Sequence, residues 1–143
     1  MDILICRVKY PNDPTNNINA HQHFVGTFDS HKLILYSISS LNGKYKRVYD
    51  ANGNLNKEIY LLDATEYQQC GLRVPSFIDC SKSYCLNLDS SFDVTRLSNR
   101  AMPGSIVNKI NIRISDLKSA GMHTQYNIKV SDFKNLNPKC VIY

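Results

Sequence analysis

Two histidines two residues apart, His21 and His23, head an apolar stretch in "HQHFVGTF". An unperturbed imidazole titrates near pH 6.5, so such a pair suits proton transfer. If the strand starts early enough, both rings fall on one face, because strand side chains alternate. The next apolar stretch, "KLILYSISS", ends in Ser37, Ser39 and Ser40. Their hydroxyls are donors of the kind that hold a phosphoryl oxygen as charge builds on it. Lys44, Lys46 and Arg47 follow, interleaved with Tyr45 and Tyr49. Cations alternating with aromatics suit phosphate contacts and base stacking. Each group also has a plainer reading: a solvated loop end, a strand end capped by serines, and a sheet edge guarded by lysine.

Other chemistries find less support. Histidines at i, i+2 supply two metal ligands, but no acid or cysteine stands beside them in sequence, and no C-x-x-C pair is present. There is no G-x-S-x-G elbow for acyl transfer. There is no carboxylate cluster for a metal-dependent phosphoesterase. No metal or other cofactor is therefore expected.

The groups that position these residues must come from a chain of 143 residues, long enough for one domain with a single core. With 43% hydrophobic and 20% charged residues it reads as globular. The net charge of +5 suits an anionic partner such as nucleic acid, and equally suits solubility alone. No apolar run reaches the roughly 20 residues of a membrane span. "MDILICRVKY" carries Asp2 and no long apolar region, so it reads as a first strand rather than a signal peptide. The five cysteines, Cys6, Cys70, Cys80, Cys85 and Cys140, are odd in number and irregular in spacing. Buried, reduced thiols and a cytoplasmic setting are expected rather than a disulfide framework.

Strands are expected over residues 3–9, 23–28 and 32–39, with a proline- and asparagine-rich loop over 10–22. The short "DSH" link makes the second and third an antiparallel hairpin. Asn52-Gly53 suggests another hairpin, residues 45–50 against 57–62. "DATEYQQCGL" reads as a polar bridge, and "SFIDCS" and "KSYCLNL" as two short strands or one bent strand. "GSIVNKINIRIS" mixes apolar and basic positions behind a glycine. Ser115 as N-cap, Asp116 in the first turn and Gly121 at C′ predict a short helix at 116–120. "QYNIKVSDFKNL" is open between strand and helix. Many short strands with one or two small helices suggest a small, strongly bent sheet or barrel.

The order of these elements resembles the PemK/MazF-like toxins over about residues 21–121. Three stretches carry the likeness. "HQHFVG" stands where that family opens an apolar strand with a His/Arg-Pro pair. "LILYSISSLNGK" looks like its next strand, ending in Ser/Thr and a glycine turn. "GLRVPSFIDCSKSYCL" with "GSIVNKINIRISDLKSAG" looks like its later strand, its basic loop, and a glycine-led strand feeding a short helix. The resemblance implies a small SH3-like antiparallel barrel spanning 1–143 as one domain. It implies metal-independent cleavage of single-stranded RNA, a cognate antitoxin protein that blocks the RNA groove, and a homodimer. The family's reactive arginine would fall at Gln22 or His23, and its hydroxyl at Ser39 with Ser40 adjacent. Gln22 departs from that pattern and keeps open a non-catalytic RNA- or protein-binding module from a mobile element.

On this reading His23 is the base or acid and Ser39 holds the phosphate, brought near each other across the hairpin with a bulge absorbing the offset. His21, Ser40, Lys44, Lys46, Arg47 and Arg73 contact the RNA. Lys82, Arg96 and Arg100 add positive charge, Arg100 from a loop before Met102-Pro103-Gly104. His31 is expected in an exposed turn, and His123 beyond the end of the helix.

Overall fold

The computed structural model describes residues 1–13 and 18–143, so residues 14–17 of the expected loop lie outside the described residues. Alternation of apolar side chains builds the centre of the sheet. In β1 (Ile3–Arg7), β2 (Ala20–Phe28) and β3 (Lys32–Ser40), Ile3, Phe24, Ile34, Tyr36 and Ile38 turn to one face. Leu4, Cys6, Val25, Leu33 and Leu35 turn to the other. Both faces are buried, which explains why β3 reads as a nearly continuous apolar run.

The expected hairpin of β2 and β3 forms, with a register shift between Val25 and Thr27. Gly26 sits in that bulge. A Cβ added there would meet Tyr36 Cε1 at 2.6 Å. The Tyr36 ring is buried, and its hydroxyl bonds His123 Nε2 at 3.0 Å, so it has little freedom to retreat. Gly26→Ala is expected to cost about 1–3 kcal/mol of stability, read as a lower urea midpoint.

The remaining strands extend the sheet on both sides. They are β4 (Ile59–Leu62), β5 (Ser76–Asp79), β6 (Lys82–Asn87), β7 (Asn99–Arg100) and β8 (Thr124–Asn127). The main path runs β4-β5-β3-β2-β1-β7, with β6 joined to β3 and β8. All pairings are antiparallel except β6 with β8. β3 changes partners along its length, from β6 at Lys32–Leu35 to β5 at Ile38–Ser40. The expected mainly antiparallel α+β architecture is therefore present. Among the described residues the sheet is open rather than closed into a barrel.

Helices cover the two faces. α3 (Gly104–Ser119) buries Ile106, Ile110, Ile114 and Leu117 against the Phe24–Tyr36 face. The opposite face is closed by Phe92, Phe133 and Cys140, Phe133 coming from α4 (Val130–Leu136). Asn137 ties this layer to β1: its Oδ1 accepts from Arg7 N at 2.9 Å, and its Nδ2 donates to Arg7 O at 2.8 Å. All five cysteines are buried and unbridged. No helix among the described residues is long and apolar enough to cross a membrane.

Several expectations are corrected here. Residues 104–114 are helix, not strand, and α3 begins eleven residues before the predicted N-cap Ser115. Gly121 does stand just past the end of α3 with φ 69°. Residues 45–50 do not pair with 57–62. Instead α1 (Tyr45–Val48) is a single helical turn that buries Val48 against Ile59 and Phe77, and β4 pairs with β5. The polar bridge holds another single turn, α2 (Glu66–Gln69). β2 begins at Ala20, so His21 and Gln22 belong to the strand. The C-terminal stretch contains both β8 and α4.

Candidate functional site

The last closed pair of the β2–β3 ladder is His23 opposite Ser37. Beyond it the strands part. β2 stays with β1, setting His21 opposite Cys6, while β3 stays with β5, setting Ser39 opposite Phe77. Two cavities open at this fork, one on each face of the sheet. The first, about 350 Å³, is lined by Tyr10, His21, Ser37, Ser39, Arg47, Asp79, Lys82 and Tyr84 among others. The second, about 540 Å³, is lined by His21, Gln22, Ser39, Ser40, Arg73, Ser76 and Arg100 among others. His21 and Ser39 line both, while His23, the expected partner of Ser39, lines neither.

His23 is elsewhere. It shares the face of His21 but is fully buried, under Tyr10 and Cys6. Its Nε2 lies 2.5 Å from the Tyr10 hydroxyl and its Nδ1 3.6 Å from Cys6 Sγ. Burial, with the nearby His21 acting in the same direction, pushes its pKa down to about 4. Burial, followed by the effect of Cys6, pushes the Tyr10 hydroxyl up, so the phenol keeps its proton. The ring is therefore neutral between two protonated groups, with one nitrogen donating and the other accepting. The Cys6 thiol is itself pushed up to about 12, first by burial and then by Cys140. A substrate in either cavity meets Tyr10 or His21, not His23. His23, expected as the base or acid, therefore lies beneath the cavity wall, with Tyr10 and Cys6 at its two ring nitrogens and none of its surface open.

The first cavity has an aromatic wall. Tyr10 meets Tyr84 edge-on at 4.7 Å, and the Tyr84 hydroxyl donates to Asn12 Oδ1 at 3.1 Å. Its cationic wall is compensated. Arg47 donates to Glu58 at 3.1 Å and to Asp79 at 2.5 Å. Asp79 also accepts from Ser81 N and Oγ, and Lys82 Nζ stands 4.0 Å from its carboxylate. Lys44, just before α1, and Lys46, on it, are expected to touch RNA; both are exposed and line neither cavity. Ser40 and Arg73 line the second cavity, where the Ser40 hydroxyl accepts from Asn42 N at 3.2 Å.

In that second cavity Gln22 Oε1 accepts a hydrogen bond from Arg100 Nη2, and Arg100 Nε donates to Cys70 O at 2.8 Å. Asp79, Tyr10 and Tyr84 were not singled out from the sequence. Asp79 had a signal: a carboxylate inside the apolar run "SFIDC" requires a buried partner. Tyr10 had none, since it reaches His23 across 13 residues. No group of three or more His, Cys, Asp or Glu side chains arranged to hold a metal exists among the described residues. No protein-family model and no curated protein matches the chain.

Proposed function

We propose that the chain is a PemK/MazF-like endoribonuclease toxin that cuts single-stranded RNA without a metal. The observation that carries the reading is the placement of His21 and Ser39 at the open mouth of the β2–β3 fork, lining both cavities. His21 is the one histidine in either lining, so it takes the proton-transfer role. It removes the 2′ proton, the 2′ oxygen attacks phosphorus, and the protonated imidazole returns that proton to the departing 5′ oxygen, leaving a 2′,3′-cyclic phosphate. Ser39 donates to a phosphoryl oxygen as charge grows there. A mainly antiparallel sheet in which β3 switches partners supports a distorted relative of the SH3-like barrel. An antitoxin protein would act by covering the fork, and a second copy of the chain would extend the groove.

The test is direct. Purified protein in excess EDTA should cut a labelled single-stranded RNA to products with cyclic phosphate ends, and should leave the all-2′-deoxy strand intact. Loss of cutting in EDTA would remove the metal-independent chemistry. A second reading, a binding module without catalysis, is favoured by Gln22 at the family's arginine position and by the two carboxylates that occupy Arg47. Recovery of intact RNA bound to the protein would select it.

A further inference from the structure

The sequence places its densest positive charge on the α1 side of the fork, yet of the cations that line the two cavities the uncompensated ones are on the other side. Arg47 and Lys82 face Glu58 and Asp79. Among the described residues, neither Arg73 nor Arg100 has a carboxylate within ion-pair distance, and both line the second cavity. Arg100 is also held in place. Its Nε and Nη2 are bound by the carbonyl oxygen of Cys70 and the side-chain oxygen of Gln22. Gly71 makes room for it: a Cβ at that position would lie 2.9 Å from Arg100 Nε, and the backbone there has φ 74°. A guanidinium has five N–H donors in a planar fork. Two neutral acceptors fix its plane and leave its charge intact and the remaining donors unspent.

We propose that Arg100 anchors a second phosphate subsite on the reverse face of the sheet. A single-stranded RNA then threads the fork, with one phosphate at His21 and Ser39 and a neighbouring phosphate on Arg100 and the exposed Arg73. The inference rests on the reading of the fork as an RNA site, and it deepens that reading. Gln22 becomes the positioning residue for a guanidinium that arrives from β7 rather than from β2. Planar, two-point recognition of phosphate is the use for which a preoriented arginine is best suited.

The experiment measures binding of a fluorescein-labelled, fully 2′-O-methylated 12-nucleotide RNA, which cannot be cut, across a salt series. Each phosphate contact on a single strand adds about 0.7 to the slope of log affinity against log salt. Arg100→Gln should lower the slope by about 0.7 and weaken binding roughly tenfold or more at low salt. Gln22→Leu keeps the charge but frees the guanidinium, so it should leave the slope and weaken binding several-fold. Arg73→Gln changes an exposed side chain and should also lower the slope, which keeps the test decisive if Arg100→Gln does not fold. Parental slopes in both arginine variants would overturn the subsite while leaving the nuclease reading untouched. Lowered slopes with no EDTA-resistant cutting by the parent would uphold the subsite and remove the nuclease. A parent that binds no RNA would overturn both.

Discussion

His21→Ala should slow RNA cleavage by about 10²–10⁴-fold while RNA affinity stays within a few fold, as expected for loss of one positioned acid or base. His21 lines both cavities at the point where β2 and β3 separate, and its side chain is exposed there. Ser39→Ala should do less, because it removes one donor and leaves the proton path intact. The comparison that decides the assignment is single-turnover cleavage by His21→Ala and by His23→Gln under matched conditions. If His23→Gln is the slower of the two in an intact fold, the role belongs to His23 acting through Tyr10. If both cut as fast as the parent, neither histidine is the catalyst.

His23→Gln has its own large expected effect, on stability rather than rate. The His23 pKa is pushed from its ordinary value of 6.5 down to about 4, chiefly by burial. Between those two pH values the unfolded chain binds a proton that the folded chain refuses. Folding stability therefore falls as pH drops through this window, by up to about 3 kcal/mol, and levels off below it. Above pH 6.5 the group contributes no slope. His123, also lowered by burial and by Lys118, acts in the same direction, so the quantity to measure is the difference between parent and His23→Gln. Asp29, Asp89 and Asp93, held below the usual carboxylate range by local hydrogen bonds, act only at lower pH. Urea midpoints collected from pH 7.5 to 4 should fall more steeply for the parent. Parallel curves would mean that His23 is protonated in the folded state.

Apolar, β-branched runs bounded by turn residues were enough to read β1, β3 and most of β2, because both faces of those strands are buried, though the start of β2 at Ala20 lay inside the expected loop. The same rule misled at α3. "INIRIS" alternates Ile110, Ile112 and Ile114, and β-branched residues favour strands. The longer spacing of Ile106, Ile110, Ile114 and Leu117 is helical, and burial of that stripe prevails while Ile112 is left 61% exposed. The turn at Asn52-Gly53 forms, closed by an antiparallel bridge between Tyr49 and Leu55, but the strands expected to extend from it do not, since residues 45–48 are a helical turn and β4 pairs with β5. At the site, the residue types were legible and their depth was not. His21 and His23 look alike in sequence, but His23 is paired on both sides and covered by Tyr10 and Cys6, while His21 lies beyond the point where β2 and β3 part.

The tie between Asn137 and Arg7 has a kinetic meaning. β1 lies inside the sheet between β2 and β7, yet a layer that holds it down joins it across 130 residues of chain. Contacts of such sequence separation require the entropy of a very long loop to be spent before they return any stability. During synthesis, residue 7 would be long emerged before residue 137 is made. Until then the face carrying Leu4, Cys6 and Val25 lacks Phe133 and Cys140, and the bed beneath His23 is incomplete. The fork is thus built on β1, β2 and β3 but braced by α4 and Asn137, so it is complete only once those residues have emerged.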